Sequence, residues 1–498
     1  MNEHTTRRHG RSRHHRVAFV LAASWVLAGC SRAGNLGTLP SPPEPPAGAI
    51  AVQTWLTTPD QRKGLSHEGD AYLLPDSARA IPTIDVDEQI AYQEMIGFGA
   101  AFTDATAYLI QEKMSATQRE ALLHDLFGRD SGGIGLSFMR VPMGASDFSL
   151  LQYSYDDMPA GQTDSTLARF SIDADRADKL PLIRRALAIN PRITIVASPW
   201  SPPGWMKTTG SLIKGTLLPA FYDSFADYFV KFIQTYAAEG VPVKAITVQN
   251  EPNFEPENYP GMRLEAPARA RVIGDHIGPR LAAAGLQTMI WDWDHNWDAP
   301  QSPSTVLADS AANRYVQGVA WHCYAGDVSA QGTVHEAFPG KDTYFTECSG
   351  GEWSPNYAQN LSWFVNTLII GSTRNWSRGV ALWNLALDES HGPHTGGCGD
   401  CRGVVTVESA SGKYTRNAEY FALGHASRFV RSGARRIAST TDVQGLTSVA
   451  FRNADDGSKV LIVLNTAAQD RTFAVRWSGR SFRYTLSAGA VVTFTWNR

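Results

Sequence analysis

The sequence has no excess of basic residues and few charges overall. Its 498 residues include 45 Lys and Arg against 48 Asp and Glu, for a formal net charge of −3 at pH 7. A nucleic-acid-binding protein needs a basic face for the phosphates, so we expect no nucleic-acid partner. With 43% hydrophobic and 19% charged residues, the composition is typical of a soluble globular protein. The length predicts a large domain plus a smaller one.

Two common catalytic motifs are also absent. The chain contains no Gly-x-Ser-x-Gly nucleophile elbow and no His-Glu-x-x-His zinc motif. A serine hydrolase and a metal hydrolase therefore have no support, and we expect neither a cofactor nor a metal.

Cysteine is scarce, with five in the whole chain: Cys30, Cys323, Cys348, Cys398 and Cys401. Cys398 and Cys401 are predicted to form a disulfide. Zinc is the alternative, because His391 and His394 lie just upstream, but no second closely spaced pair exists and the segment is a glycine-rich loop. For the pair at 323 and 348, spacing leaves open whether they are buried thiols or a second disulfide.

The N-terminal hydrophobic run, Val17–Gly29, is too short for a comfortable membrane span. It follows five arginines and suits the apolar core of an export signal. It ends in Leu27-Ala28-Gly29-Cys30, which resembles the bacterial lipobox, in which the cysteine is lipidated and becomes the first residue. The alternative is an ordinary signal peptide with a chance cysteine.

This N-terminus predicts an exported lipoprotein of a Gram-negative bacterium, or otherwise a periplasmic or secreted protein. Ser31 after Cys30 favours the outer membrane, by resemblance to enterobacterial sorting. Without residues 1–29 the chain keeps 40 basic and 47 acidic residues, a formal net charge of −7. Residues 31–49, with five prolines, are predicted to be an unstructured tether.

Residues 93–414 repeat one pattern eight times: a short apolar run, a loop and a helical stretch. Eight such units predict a (β/α)8 TIM barrel, an α/β fold with its active site at the C-terminal ends of the strands. Phe221–Glu239 and Ala266–Ala284 are typical outer helices. The predicted strands are Ile96–Phe102, Leu136–Met143, Ile193–Trp200, Val243–Asn250, Thr288–Asp294, Val316–Tyr324, Thr343–Glu347 and Val380–Leu387.

The two ends of the chain have a different pattern. Residues 50–92 alternate apolar and polar positions, and residues 415–498 contain short strand-like runs separated by turns. We expect both segments to join in one β-sandwich attached to the barrel. The C-terminal runs are Thr447–Phe451, Val460–Leu464, Phe473–Trp477, Arg483–Leu486 and Val491–Trp496.

Two glutamates stand where predicted barrel strands end. Glu251 closes the fourth strand, and Pro252 after it prevents a helix from continuing. Glu347 closes the seventh, and the glycines at 350 and 351 leave room for a ligand or a tight turn. Either one alone could be an ordinary loop carboxylate. Together they can hydrolyse a glycosidic bond, one as acid/base and the other as nucleophile.

Short motifs follow one another along the predicted barrel: Gly97–Asp104, Arg140–Met143 with Asp147-Phe148, Ala197–Trp200, Thr247–Pro252, His322 with Tyr324, Glu347, and Trp383–Leu387. Their order makes the combination specific. Over roughly residues 50–498 the sequence resembles glycoside hydrolase family 30, the family of glucosylceramidase.

The resemblance implies roles for individual residues. Glu251 would be the general acid/base and Glu347 the nucleophile of a retaining enzyme, and Asn250 would bind the sugar 2-OH. An ionised nucleophile needs hydrogen-bond donors, and the candidates are Arg140, His322 and Tyr324. Glu251 should hold its proton until the leaving oxygen takes it.

Three further residues match positions that line the sugar pocket in this family: Asp147, Trp200 and Trp383. The tryptophans could instead be plain core, and Asp147 could cap the following turn. Asp104 is expected to be a helix cap rather than a ligand. Because Arg140 lies inside an apolar strand, it needs a carboxylate partner.

Two segments depart from glucosylceramidase. The fifth loop, Trp291–Trp297, is unusually aromatic and predicts a substrate wall. The alternative there is a metal held by Asp292, Asp294 and His295. The loop Asp388–Arg402 replaces a segment that shapes the leaving-group side in glucosylceramidase, so the leaving group stays open.

The resemblance implies a retaining hydrolase that cleaves β-glucosidic bonds by double displacement, of the glucosylceramidase type. The alternative within the family is an endo-β-1,6-glucanase, so the substrate is a glucan or a glycolipid, and xylan-cleaving relatives also exist. A non-catalytic carbohydrate-binding protein is less favoured because both carboxylates are present.

Overall fold

The computed structural model describes residues 46–77, 81–129 and 132–497. Eight parallel strands close into a barrel in which each pairs with the next along the chain and the eighth pairs with the first. The predicted (β/α)8 barrel is confirmed. In chain order, strands 1 to 8 are Gly97–Ala101, Phe138–Pro142, Thr194–Ser198, Ala245–Thr247, Met289–Asn296, Val316–His322, Asp342–Glu347 and Ser377–Asn384.

Helices surround the barrel. Tyr222–Ala238 matches its prediction, and its aromatic residues recur at helical spacing on the buried face. Ala266–Ala283 is interrupted by a π-helical stretch, Val272–Ile277. The other α-helices are Asp104–Tyr108, Ala116–Phe127, Asp173–Arg176, Lys179–Ile189, Gln301–Ala308, Ser310–Tyr315, Ser329–Ala337, Tyr357–Trp363 and Ala418–Ser427; Leu109–Lys113 and Phe364–Ser372 are also π-helical, and Gly204–Met206 and Pro219–Phe221 are 3-10 turns.

Large rings and small side chains fill the interior of the barrel. Trp291 of strand 5 stacks on Tyr344 of strand 7, with ring centroids 3.5 Å apart. Ala245, Ala320 and Ala381 from other strands belong to the same buried cluster. This alternation of large and small residues plugs the barrel, so a substrate can enter only from the strand ends.

Eleven strands form the second domain, whose sheet closes on itself because Arg435–Ser439 pairs on both sides. Ile50–Thr57 pairs antiparallel with the last strand, Val491–Trp496, so both chain ends build this β-sandwich, as predicted. The remaining strands are Ser66–His67, Ala71–Pro75, Thr83–Glu94, Asp442–Val443, Leu446–Arg452, Lys459–Asn465, Arg471–Trp477 and Arg480–Leu486.

One element lies where the sequence predicted only sandwich strands. Residues 418–427, within the predicted range 415–498, form a helix that packs between the barrel and the sandwich. All of its residues except Phe421 are buried, so it has no polar face and its sequence carries no helical period. Its His425 bonds to Thr57 and Thr493 of the sandwich.

Two small sheets are built from segments that follow strands 7 and 8. One joins Ala386–Asp388, Val405–Val407 and Tyr414–Arg416, and the other joins Gly350–Gly351 to Cys401–Arg402. The predicted signal peptide, Cys30 and residues 31–45 of the predicted tether lie outside the described residues. Within the described ranges, no helix combines the length and the hydropathy needed to cross a bilayer.

Candidate active site

A buried carboxylate, Asp294, lies at the centre of the barrel mouth. Its partners come from strands 2, 3, 4, 6 and 7, so one side chain of strand 5 ties six strands together. Burial opposes its ionisation, but Arg140 and His322 outweigh this and hold the pKa of Asp294 well below its usual range. The partner atoms are Arg140 Nη2, Ser198 Oγ and Thr247 Oγ1 at 2.7 Å from Oδ2, and Thr346 Oγ1 at 2.6 Å and His322 Nε2 at 3.0 Å from Oδ1.

A β-bulge turns Asp294 into the barrel. Ala320 pairs with Trp293 and Trp321 with His295, so Asp294 has no residue opposite it on strand 6. Trp293 and Asp294 adopt positive φ angles of 77° and 58°. The extra residue reverses the alternation of the strand, and Trp293 therefore packs in the outer core while Asp294 points inward.

Arg140 of strand 2 is completely buried beside Asp294. Its guanidinium donates to Glu347, to Asn250 Oδ1 (2.7 Å) and to Asp294. Trp200 and Trp383 cover it, with ring centroids 4.8 and 5.3 Å from the guanidinium carbon. The carboxylate partner expected for this charge is therefore a pair of carboxylates.

Glu347, at the end of strand 7, is buried among the three donors expected for it. Arg140 donates to Oε2, and the Tyr324 hydroxyl donates to Oε1 at 2.9 Å. His322 Nδ1 is farther away, 3.9 Å from Oε1. Burial raises the pKa of Glu347 above its usual value, although the charges of His322 and Arg140 oppose the shift.

Glu251 approaches the same nitrogen of His322, Nδ1, from the end of strand 4. Strand 4 ends at Thr247, and Glu251 adopts a φ of 46° while its N–H bonds to Asp294 O at 3.0 Å. This left-handed conformation directs its carboxylate to within 3.1 Å of His322 Nδ1 and 3.7 Å of His295 Nδ1. The chain thus turns sharply between Thr247 and Pro252.

The resting protonation of this pair differs from the expectation that Glu251 holds a proton. Burial opposes ionisation of Glu251, but the hydrogen bond from His322 outweighs it and lowers the pKa of Glu251. Burial alone would lower the pKa of His322, yet the carboxylates around it, Glu347 foremost, raise that pKa to about 9. At neutral pH the shared proton therefore rests on the imidazole.

Asp147 follows strand 2 and is almost fully buried. Trp383 donates a hydrogen bond to its carboxylate, but Oδ1 has no partner among the described residues. Burial and then the charges of Glu347 and Glu251 raise the pKa of Asp147 well above its usual range. The turn after it is capped by serines 146 and 149. A buried acceptor without a donor is suited to a hydroxyl of a ligand.

Trp200 and Trp383 stack on each other with ring centroids 4.9 Å apart, in a buried cluster with Phe148 and Leu387. They join this cluster to Arg140 and Asp147. The sequence left open whether these tryptophans are core or line the site. Each ring does both, since one side packs in the core and the other faces the charged groups. Asn250 accepts from Arg140 through Oδ1, which leaves its Nδ2 as the atom available to donate.

The loop Asp388–Arg402 closes over Asp147. Thr395 N donates to Asp147 O at 3.0 Å, and a Cβ on Gly397 would lie 2.6 Å from Asp147 Cβ. Gly397 N contacts Asn258 Oδ1 at 3.4 Å. This loop therefore forms the wall of the site next to Asp147.

The structure contains two disulfides. Cys398 is joined to Cys401 within this wall, and Cys323 is joined to Cys348. The second one links the residues that follow His322 and Glu347, at the ends of strands 6 and 7. His391 Nδ1 and His394 Nδ1 contact backbone carbonyl oxygens of Cys401 and Gly396, an arrangement that gives no support to zinc there.

The aromatic wall predicted for Trp291–Trp297 is wrong. All three tryptophans of this segment are buried: Trp291 lies in the barrel interior, and Trp293 and Trp297 lie in the outer core. Asp292 points outward and pairs with buried Arg269 at 2.5 Å. The predicted alternative, a metal on Asp292, Asp294 and His295, is also wrong, since both aspartates are engaged elsewhere.

A different trio could hold a metal. Ligand atoms of Glu251, His295 and His322 all lie within 4.8 Å of one another. The prediction that Asp104 caps its helix is wrong. Thr103 provides the cap, whereas Asp104 is the first residue of the helix and pairs with Lys179 at 2.6 Å.

Sequence reasoning missed several residues that build the site. Asp294 was considered only as a possible metal ligand, and the hydroxyls of Ser198, Thr247 and Thr346 were given no role. Burial raises the pKa of Tyr259, and the charges of the nearby carboxylates Asp147, Glu251 and Glu347 raise it further. Tyr259 therefore also belongs to the surroundings of the site. The available signal was the presence of Ser or Thr near the ends of three predicted apolar strands, where a hydroxyl needs a partner.

Two carboxylates at the ends of strands 4 and 7, with one imidazole nitrogen close to both, define a barrel glycosidase. Glu251 Oε1 and Glu347 Oε1 lie 3.1 and 3.9 Å from His322 Nδ1, so the two carboxyls are close enough to flank one glycosidic bond. The chain belongs to glycoside hydrolase family 30. The model of the family's TIM-barrel domain matches residues 95–430, and that of its β-sandwich domain matches residues 433–494.

The proteins similar to this chain include a glucanase and a glucosylceramidase. An endo-1,6-β-D-glucanase of Neurospora crassa is 38% identical over 467 residues, which cover 88% of this chain and 94% of that protein. The lysosomal acid glucosylceramidase of Mus musculus is 31% identical over 438 residues, 82% of each chain. The solved structure of the endo-β-1,6-glucanase BT3312 has a TM-score of 0.82 at 32% identity and covers 90% of this chain and all of that one.

Proposed function

We propose that this retaining hydrolase acts on β-1,6-glucan, with Glu251 as acid/base and Glu347 as nucleophile. The observation that carries the assignment of roles is the donor set. Glu347 receives two hydrogen bonds, from Arg140 and Tyr324, which suit a carboxylate that must attack in ionised form. Glu251 receives one, from the histidine that carries the shared proton.

The first half of the reaction forms a glycosyl ester on Glu347 and breaks the bond to the leaving oxygen. His322 returns its proton to Glu251 as the glycosidic oxygen approaches, and Glu251 passes it to that oxygen. Because Glu347 loses its negative charge in the ester, the pKa of Glu251 falls further. Glu251 then acts as base and takes a proton from water, which attacks the ester and releases the sugar.

The sugar is held by groups that still have free hydrogen-bonding capacity. Asn250 offers Nδ2 to the 2-OH, because Arg140 fixes its oxygen. Asp147 offers the unpartnered Oδ1 to a hydroxyl on the other side of the ring. Trp200 and Trp383 provide the apolar surface between them.

Exposed aromatic rings support a polysaccharide leaving group. Phe254 follows Glu251 and is 45% exposed, and Trp353 follows Glu347 and is 55% exposed. Rings at the ends of strands 4 and 7 can stack on further glucose units. The endo-1,6-β-D-glucanases that match this chain over most of their length support the same substrate.

A glycolipid is the second candidate, and one observation favours it. Leu150 and Leu151, on the loop after Asp147, are exposed, Leu151 by 73%. Exposed aliphatic side chains beside the sugar site suit acyl chains better than sugar hydroxyls. The similarity to glucosylceramidase points in the same direction.

The test is chromatography of the products from pustulan, a β-1,6-glucan, and from glucosylceramide in detergent, with Glu347→Gln as the blank. We expect gluco-oligosaccharides from pustulan. We also expect that Trp353→Ala reduces this activity more than Leu151→Ser does. Release of ceramide alone, lost in Leu151→Ser, would reverse the substrate assignment. Turnover of neither substrate would refute both.

We also propose that Cys30 is lipidated and anchors the enzyme at the outer membrane. The lipobox-like segment Leu27–Cys30 and the proline-rich stretch after it support this location. Labelled palmitate should be incorporated by the wild type and not by Cys30→Ser. Equal labelling of both, or release of the wild type into the medium, would contradict an anchor.

A further inference from the structure

The acid/base carboxylate is one corner of a triangle of metal-binding atoms that the hydrolytic reaction does not use as a metal site. Glu251 Oε1 lies 3.1 Å from His322 Nδ1 and 3.7 Å from His295 Nδ1, and all the ligand atoms lie within 4.8 Å of one another. In a tetrahedral zinc site with bonds of about 2.0–2.2 Å, neighbouring ligand atoms are about 3.3–3.6 Å apart. Two edges of the triangle, at 3.1 and 3.7 Å, already lie close to this spacing.

We infer that Glu251, His295 and His322 form a site for a borderline transition-metal ion such as Zn²⁺, and that its occupation switches the hydrolase off reversibly. Two imidazoles and one carboxylate form a ligand set that binds Zn²⁺ and closely related ions. Mg²⁺ and Ca²⁺ prefer oxygen ligands and are not expected to bind.

His322 is already oriented as a metal ligand. Its Nε2 faces Asp294 Oδ1 at 3.0 Å, so an ion on Nδ1 displaces only the Nδ1 proton and leaves the Nε2–H bond to Asp294 intact. A carboxylate behind the distal nitrogen is the usual support of a zinc-bound histidine. Asp294 is in turn fixed by Arg140, so the support is rigid.

His295 offers a second nitrogen without a competing partner. Its Nδ1 is buried and makes no hydrogen bond within the described part of the chain. Its ring lies 5.1 Å from that of Trp293, which limits its rotation. The bulge that turns Asp294 inward also brings His295 level with Glu251, because it shifts the strand by one residue.

Occupation of the site would block catalysis at Glu251. A metal on Oε1 takes the atom that shares the proton of His322, so the leaving oxygen receives no proton. This consequence rests on the proposed role of Glu251, whereas metal binding itself does not. The fourth position of the ion would be taken by water from the pocket.

The experiment combines a binding measurement with an activity measurement on the whole enzyme. Co²⁺ serves as a spectroscopic probe, because four-coordinate Co²⁺ has a strong visible absorption, and Zn²⁺ is titrated by calorimetry and against glucan hydrolysis. The variants are His295→Gln and Glu251→Gln. The matched control is His276→Gln, since His276 lies in an outer helical segment and also faces a carboxylate, Asp223, at 2.7 Å.

We expect one Zn²⁺ per chain, a four-coordinate Co²⁺ spectrum and inhibition that a chelator reverses. His295→Gln and Glu251→Gln should weaken Zn²⁺ binding by about tenfold or more, and His276→Gln should not. Absent or non-stoichiometric binding, or binding by His295→Gln equal to that of the wild type, would overturn the site. Binding without inhibition would instead refute the role of Glu251 and leave the site intact.

Discussion

Acid should weaken this enzyme through His425, whose imidazole is buried at the junction of barrel and sandwich. Its Nδ1 contacts Thr493 Oγ1 and its Nε2 contacts Thr57 Oγ1, each at 2.8 Å. The Thr493 hydroxyl donates to His425 O, so it must accept from Nδ1–H, and Nε2 is left to accept from Thr57. The neutral ring satisfies every partner, and a second proton would have no acceptor.

The size of the loss in folding stability follows from the shifted pKa of His425. Burial lowers the pKa of His425 from 6.5 to about 3. Between pH 6.5 and pH 3 His425 therefore binds a proton in the unfolded chain but not in the folded chain. The contribution of neutral His425 to the free energy of unfolding is complete above pH 6.5 and is lost as the pH falls toward 3. At about 1.4 kcal/mol per pH unit, roughly 2 kcal/mol is lost by pH 5 and about 5 kcal/mol by pH 3.

Denaturant unfolding followed by tryptophan fluorescence at pH 7.5 and pH 5 measures this loss. The perturbation is His425→Gln, which keeps one donor and one acceptor but cannot be protonated. Because other titrating groups act in both proteins, the difference between their pH dependences isolates His425. We expect the wild type to lose about 2 kcal/mol more than the variant. Equal losses, with His276→Gln also equal, would refute the reasoning.

Three further predictions concern the site. Glu251→Ala should regain activity with azide on substrates with good leaving groups and yield the β-glycosyl azide, whereas an α-azide would reverse the two roles. Asp147→Asn should lower kcat/KM by about 100-fold or more without lowering the melting temperature, because it removes a buried carboxylate with an unpartnered oxygen; a parallel loss of stability would make the residue structural. Gly397→Ala should raise KM, since its Cβ would clash with Asp147 at a φ of 73°, while Gly399→Ala, with nothing within 4 Å, should not; similar KM values for both would contradict the wall.

The architecture was predictable because each barrel strand has a simple sequence pattern. A strand covered by helices on one side and plugged on the other is mostly apolar, as Ile193–Trp200 is, and eight such runs alternating with helices allow few other folds. The helix Ala418–Ser427 was not predictable in this way. It is buried on all sides, so its pattern contains no period to distinguish it from a strand.

The position of the two glutamates proposed as the catalytic pair was predictable because proline and glycine mark the turns that carry them. Pro252 excludes a helix after Glu251, and the motifs around both glutamates are specific. Asp294 was not predictable, because a single bulge decides whether it or Trp293 faces inward. The sequence does not reveal this bulge, and the aromatic segment therefore resembled a substrate wall. In the structure its rings complete the core.

The hydrogen-bond net around Asp294 separates what can change in this enzyme from what cannot. Its members lie on six strands and meet at one carboxylate, so replacing any of them disturbs the barrel as well as the chemistry. The rings of Phe254 and Trp353 and the wall at residues 388–402 lie outside the net. Substrate preference can therefore drift or be engineered through these outer parts, while the reaction stays the same.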